Sequence, residues 1–283
     1  MTVPLPATTT GLIARAYEED LGAGGDVTSI ATIPSAHRSH AKFVVRALGR
    51  VAGLPVIEMC LAHIDPAITT ERRSADGESV EPGTVVLSAS GSTRSLLSAE
   101  RVALNFLGHL SGVATATRSF VDAVSGTGTA ISDTRKTTPG LRALEKYAVA
   151  VGGGVNHRMG LSDAVLIKDN HLVVSESIAD AVDQARALVG HNMTVEIEVD
   201  TLDQLSAAIQ TSADTVLLDN MTPVELMQAV STVNGAMRTE ASGGVTLENV
   251  RSIAETGVDV ISVGWLTHSA PALDVAMDLE TAR

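Results

Sequence analysis

At 283 residues the chain can form one large α/β domain or two smaller ones, and 45% hydrophobic with 19% charged residues is a globular composition. A formal net charge of −13 excludes diffuse attraction to a polyanion, and 2% aromatics provide no stacking platform for single-stranded nucleic acid, so Val, Ala, Leu and Ile must fill the core. The one cysteine, Cys60, lies in an apolar stretch, residues 56–63, and reads as a buried core thiol in a reducing cytoplasm. The N-terminus MTVPLPATTTGL lacks the basic and apolar regions of a signal peptide, and no segment has the length of a membrane span.

In chain order, Thr8 to Thr10 offer caps to a helix over 11–21, which closes in the glycine-rich turn GAGGD. Residues 41–51 are strand-like, 54–62 helical, 76–82 (DGESVEP) a turn and 84–89 (TVVLSA) a strand. Apolar residues at helical spacing predict a helix over 98–110, and 113–124 continues helical. After Gly126 the pattern becomes regular. Six short apolar segments recur at 129–136, 164–170, 195–200, 215–220, 237–243 and 258–264, each with polar residues at its end. Amphipathic stretches such as 177–188 and 202–209 lie between them. Alternating β and α units of this size imply a parallel sheet with right-handed crossovers, and about six of them with polar C-terminal ends favour an open α/β barrel. The division expected is 1–112 for an N-terminal α/β unit and 113–283 for the barrel, with a C-terminal tail able to pack back on the first.

Charge singles out one stretch. The chain has four lysines, and Lys136, Lys146 and Lys168 fall within residues 132–171, together with Arg135, Arg142, His157 and Arg158. A cationic cluster in an acidic protein is suited to a small, highly charged anion. Arg135 and Lys136 end one strand before the hydroxyl-rich turn Thr137-Thr138-Pro139-Gly140. Arg158 and His157 follow Gly152-Gly153-Gly154, where the backbone can approach a ligand or a neighbour closely. Lys168 ends an otherwise apolar strand and needs an anionic partner there. Glu196, Glu198 and Asp200 alternate with Val195, Ile197 and Val199, which puts three carboxylates on one face of a covered strand, to be paired with cations or to hold a metal. Asp219 ends the next strand, and Glu198 with Asp219 could share Mg²⁺ with substrate phosphates. Ser242-Gly243-Gly244 and Ser262-Val263-Gly264 end the last two strands, where barrels hold phosphates. Lys146, spaced from Arg142 along a helix, reads as an ordinary helix-face charge.

These segments resemble the quinolinate phosphoribosyltransferase family over nearly the whole chain. The resemblance is carried by EEDLGAGGDVTS, ERVALNFLGHLSGVAT, DTRKTTPGLR, GGGVNHRMGLSDAVLIKDNH, VEIEVD, VLLDN, EASGGV and ISVGWLTHSA. It implies an N-terminal α/β sandwich joined to an open α/β barrel, in a homodimer or higher oligomer with shared active sites. It implies quinolinate and phosphoribosyl pyrophosphate as substrates, Mg²⁺ as cofactor, and nicotinate mononucleotide, pyrophosphate and CO₂ as products. By motif, Arg101, Thr134, Arg135, Lys136, His157, Arg158 and Lys168 match substrate-binding positions, with Arg101 reaching the neighbour's site. Glu198 and Asp219 match carboxylates near ribose and metal, and the turns at Ser242–Gly244 and Ser262–Gly264 match phosphate sites. Lys136, Lys168, Glu198 and Asp219 are the catalytic candidates. Two other enzyme readings remain open here: a paralogous phosphoribosyltransferase acting on another aromatic acid, and an aldolase using Lys168 as a Schiff-base nucleophile.

Overall fold

The first elements in the chain are α1 (Thr9–Leu21), α2 (Val27–Thr32), β1 (Arg38–Val45), β2 (Gly49–Arg50), α3 (Leu54–Ile64), β3 (Thr69–Arg72), β4 (Ser79–Val80), β5 (Val85–Ser92) and α4 (Thr93–Ala123). There follow β6 (Ala130–Ser132), α5 (Arg142–Gly152), β7 (Val165–Ile167), α6 (Asp169–Leu172), α7 (Ile178–Val189), β8 (Val195–Val199) and α8 (Leu202–Ala208). The chain continues through β9 (Thr215–Asp219), α9 (Pro223–Val233), β10 (Arg238–Ser242), α10 (Val250–Ala254), β11 (Val260–Ser262), α11 (Trp265–His268) and β12 (Val275–Thr281). The computed structural model describes residues 4–281, which divide into two units.

The first unit takes the described residues up to Arg118, Thr138–Gly153, and the chain from Leu266 onward. Its main sheet has the order β12-β1-β5-β3, with antiparallel pairing throughout. β1 alternates: Ser39, Ala41, Phe43 and Val45 are buried, while Lys42 on the other face pairs with Glu280 at 2.7 Å. α1 packs on α3, where the rings of Tyr17 and His63 stack at 5.4 Å. Cys60 is buried beside Tyr17, as its apolar surroundings predict, and burial pushes its thiol up to about 12. The two helices expected over 98–110 and 113–124 are one, α4. The glycine between them marks a close contact rather than a break, because a Cβ on Gly112 would lie 2.2 Å from the Pro271 carbonyl oxygen.

The second unit, Ser119–Thr137 and Gly154–Trp265, contains a six-stranded sheet in the order β6-β11-β10-β9-β8-β7, with every pairing parallel. Neighbours follow one another in sequence from β7 to β11, and β11 then pairs with β6, the first strand. Among the described residues only the β6–β7 pairing is missing, so the sheet is an open α/β barrel, with the gap where that one pairing would be. α5, which follows β6 in the chain, belongs to the first unit, whereas α7 and α8 contact β8. In the first unit Gly152 serves a neighbour, not a ligand: its Cβ would meet the Ala114 carbonyl oxygen at 2.6 Å. Lys146 departs from its reading as a helix-face charge, for it is fully buried at 1% exposure, next to the buried Glu145 that accepts from His109 Nε2 at 2.9 Å. Among the described residues no helix is long and apolar enough to cross a membrane.

Candidate active site

The barrel strands end in polar residues, and these polar ends converge. At the C-terminal ends of the strands lies a cavity of about 380 Å³. Thr134, Arg135 and Lys136 enter it after β6, Lys168 after β7, Glu198 from β8, Asp219 from β9, Ser242 from β10 and Ser262 from β11, with His157 and Arg158 from the loop before β7. Leu166 and Leu217 also line it. The cavity therefore gathers four permanent cations in a protein whose net charge is −13.

Local hydrogen bonds set these side chains. The Lys136 N–H donates to Thr134 Oγ1 at 2.9 Å, and the Thr137 N–H to the Arg135 carbonyl at 3.0 Å, which curls the chain back at the strand end. Asp133, fully buried, anchors the opposite loop: it accepts from the His157 N–H at 2.9 Å and from Asn156 Nδ2 at 2.6 Å. Arg158 is aimed by its Nη1 bond to the Ala164 carbonyl, 2.9 Å long. Burial and then the neighbouring Arg135 guanidinium lower the pKa of Arg158, as two cations held together require, while Glu196 and Asp163 oppose the shift. An anion bridging those two guanidiniums would relieve that strain. Lys168 Nζ donates to Glu198 Oε2, so the lysine finds the anionic partner its position demanded.

The acidic face of β8 is only partly as expected. Glu196 and Glu198 are buried inside the barrel, but Asp200 lies beyond the end of the strand and is exposed, where its N–H donates to Gln204 Oε1 at 2.7 Å. Deeper than Glu198, the Nε2 of His157 lies 3.0 Å from Glu196 Oε2 and 3.6 Å from Glu240 Oε1. His157 Nδ1 accepts from the Arg158 N–H at 2.8 Å, so the hydrogen of a neutral ring sits on Nε2 and points at Glu196. Glu240 also lines the cavity, and burial, then the charge of Glu196, push its carboxyl up to about 7 against the opposing pull of His157 and Ser262. Sequence reasoning passed over Glu240. The available signal was the alternation of Arg238, Glu240 and Ser242 along one strand, which places the glutamate on the same face as the serine.

Arg101, Gly243, Gly244, Val263 and Gly264 do not line this cavity. Arg101 is exposed on α4 in the first unit, 3.9 Å from Glu100. The glycines shape the rim. Gly243 has φ +95°, and a Cβ there would fall 2.1 Å from Asn220 Oδ1, in the turn that Asn220 closes through its N–H bond to the Ser242 carbonyl at 2.9 Å. A Cβ on Gly264 would lie 2.9 Å from Lys136 Cδ, so this glycine leaves room for the lysine stem. Val263 is buried, and its N–H donates to the Ser132 carbonyl at 2.9 Å. Glu198 and Asp219, from adjacent strands, put two carboxylates on one wall of the cavity, which fits a hard divalent cation whose remaining ligands are phosphate oxygens and water.

The chain matches two family models, "Quinolinate phosphoribosyl transferase, N-terminal domain" over residues 26–111 and "Quinolinate phosphoribosyl transferase, C-terminal domain" over 113–278. It is 44% identical over 272 residues to the nicotinate-nucleotide pyrophosphorylase [carboxylating] of Mycobacterium leprae, covering 94% of this chain and 95% of that one. It is 41% identical over 268 residues to the probable nicotinate-nucleotide pyrophosphorylase [carboxylating] of Bacillus subtilis, covering 95% of this chain and 92% of that one. The crystal structure of NadC from Streptococcus pyogenes superposes with a TM-score of 0.96 at 37% identity, covering 100% of both chains.

Proposed function

The chain belongs to the quinolinate phosphoribosyltransferase family, and from that premise we propose how its own residues carry the reaction. The enzyme is a decarboxylating pentosyltransferase: phosphoribosyl pyrophosphate and quinolinate give nicotinate mononucleotide, pyrophosphate and CO₂. One observation supports the assignment of roles above the others. Arg135, Lys136, Arg158 and Lys168 share a single cavity with Glu198 and Asp219, in a protein with an excess of acidic residues.

Quinolinate presents two adjacent carboxylates, and the paired forks of Arg135 and Arg158 suit them bidentately. Ser242 and Ser262 hydroxyls, with the turns behind them, suit the phosphate of the second substrate. As pyrophosphate leaves, the ribosyl carbon gains positive character, as in glycosidic cleavage. Lys136 is placed to stabilise the departing oxygens, and Glu198, oriented by Lys168, to stabilise the ribosyl charge. Glu198 and Asp219 would hold Mg²⁺, which neutralises pyrophosphate charge when bound. The pyridine nitrogen then bonds to the ribosyl carbon and becomes cationic, and that positive nitrogen is the electron sink for losing the adjacent carboxylate. Engagement of the Lys168 ammonium by Glu198 also supports an electrostatic role over a Schiff-base one, which needs a free amine.

The test is an assay of pyrophosphate release with quinolinate and, separately, with nicotinate. Quinolinate should support release together with nicotinate mononucleotide, nicotinate should not, and chelation of Mg²⁺ should abolish turnover reversibly. Absence of pyrophosphate with quinolinate would overturn the reading. We further infer a homodimer in which Arg101 serves the neighbouring subunit's cavity, which its exposure on α4 supports, and a reducing, cytoplasmic setting, which the single buried cysteine supports.

A further inference from the structure

Loss of CO₂ creates a requirement that the roles above do not meet. The bond between the ring carbon beside nitrogen and its carboxylate breaks, and the electron pair stays on that carbon. In the product the same carbon bears hydrogen, so a proton must arrive inside a cavity filled by substrate. Unless it arrives, the carbanion can recapture CO₂. The guanidiniums of Arg135 and Arg158 give up no proton near neutral pH, Lys136 is assigned to the departing pyrophosphate, Lys168 is engaged by Glu198, and His157 Nε2 faces Glu196 at 3.0 Å.

Building on the phosphoribosyl-transfer reading, we propose that Glu240 is the acid that protonates this carbon, and that a second cavity beneath the barrel returns its proton from solvent. Glu240 lies two residues before Ser242 on the same face of β10, roughly 6–7 Å deeper along the strand. There it shares the first cavity with the apolar Leu166 and Leu217. A second cavity, of about 360 Å³, lies at the N-terminal ends of the strands, bordered by Thr194, Thr215, Arg238 and Val260. Glu240 lines both. A group that borders both cavities can give a proton upward and regain it from below without passing it through bound substrate.

The surroundings give Glu240 a reason to carry that proton. It is 5% exposed, and its Oε1 has no hydrogen-bond partner, because the Nε2 hydrogen of His157 goes to Glu196 at 3.0 Å and leaves Glu240 at 3.6 Å. The charged groups around it are Glu196 from β8, His157 from the loop before β7 and Arg238 on its own strand, while β9 and β11 present Leu217 and Ser262. Two desolvated carboxylates and one imidazole that already serves the other carboxylate favour a neutral Glu240. The same three donor atoms lie within 4.8 Å of one another, a spacing that a metal ion could use. The tautomer argues against that occupant, since His157 Nδ1 is taken by the Arg158 N–H and Nε2 then bears hydrogen instead of a free lone pair. In the step itself the carbon–carboxylate bond breaks, CO₂ departs, the electron pair left on the ring carbon takes the Glu240 proton to form the C–H bond, and Glu240 is left as a carboxylate. Water in the second cavity restores the acid.

Glu240→Gln, followed through a single turnover with pyrophosphate and CO₂ measured separately, tests this. Pyrophosphate release should stay within about threefold of wild type, while CO₂ release and nicotinate mononucleotide formation fall by about 100-fold, the usual contribution of a positioned acid. The N-ribosylated dicarboxylate should accumulate, and Glu240→Asp should recover part of the rate. In the wild-type enzyme the CO₂ phase should slow as pH rises past about 7, because the acid form is lost, with the pyrophosphate phase flat over the same range. Normal CO₂ release in Glu240→Gln, or parallel loss of both phases, would overturn the proposal. If the variant does not fold, a wild-type CO₂ phase that stays flat through the same pH range overturns it equally. No pyrophosphate from wild-type enzyme would instead sink the transfer reading on which this rests.

Discussion

At the scale of single residues, the cavity depends on which cation stands where. Arg158 could not be exchanged for lysine at small cost: its Nη1 is spent on the Ala164 carbonyl, and only a planar fork can hold that bond and still present donors to a carboxylate. Arg158→Lys is expected to raise the KM for quinolinate by about 10-fold or more, the loss of one bidentate contact, while the KM for phosphoribosyl pyrophosphate moves less than about threefold. Steady-state kinetics with each substrate varied in turn reads this directly, and equal increases in both constants would refute the assignment. The residues that sequence reasoning identified carry charge at strand ends, where charge is out of place unless it is used. Glu240 escaped because its neighbours Ala241, Ser242 and Gly243 read as a phosphate turn. The partner that makes it unusual, Glu196, lies 44 positions earlier in the chain. Only folding brings the two carboxyls together.

At the scale of elements, the barrel strands other than β10 (RTEAS) were legible because each is a short run rich in apolar residues with turn residues behind it. The elements missed lack that contrast. All four residues of β3 are exposed, and TTER offers no alternation of burial to read. α2 is six residues long and is marked mainly by its cap, the Asp26 side chain accepting from the Ser29 N–H at 2.9 Å. A further device appears only in three dimensions, at the N-terminal ends of β8 and β9. Arg186, at the end of α7 and nearly buried, donates through Nη1 to the carbonyls of Gly190 and Met193, both at 3.0 Å. Its Nη2 donates to the Ser212 carbonyl at 2.6 Å and to Asp214 at 2.8 Å. Asp214 in turn accepts from the Val195 N–H at 2.8 Å. Arg186→Met would leave three carbonyls and a carboxylate without this donor. It should cost about 2 kcal/mol in urea denaturation, a figure held down by the exposure of Asp214. Burial pushes the Asp214 carboxyl up, but the bonds from Arg186 and Val195 outweigh it, and the net shift is downward from 3.8. A depressed carboxylate contributes stability that is present above its ordinary pKa and lost as pH falls through the lowered one. The acid limb of the melting curve below about pH 4 should therefore be shallower in Asp214→Asn than in wild type, and an unchanged limb would show that the tie carries no linkage.

At the scale of the whole molecule, the chain is strongly acidic yet offers a cationic cavity, so two anionic substrates are drawn to one place on an otherwise acidic protein. Of the cations matched to substrate binding, Arg101 does not line that cavity. It is exposed on α4, and its carboxylate neighbour Glu100 stands 3.9 Å away, a weak tie for a long side chain. In the dimer we propose, the interface is isologous, so each cavity takes its Arg101 from the other subunit and each subunit gives one in return. Arg101→Ala and Lys136→Ala should each be nearly inactive alone, for different reasons. A mixed dimer then has one cavity with both defects and one with neither. Random exchange puts half of the subunit pairs in mixed dimers, and one cavity in two is intact there, so about a quarter of wild-type activity should return when equal amounts are mixed under exchanging conditions. Activity in the mixture equal to the sum of the two separate preparations would mean that Arg101 serves no neighbour, provided sedimentation shows that subunits have exchanged. Recovery near a quarter could come only from a site assembled across two chains, because neither variant carries both residues.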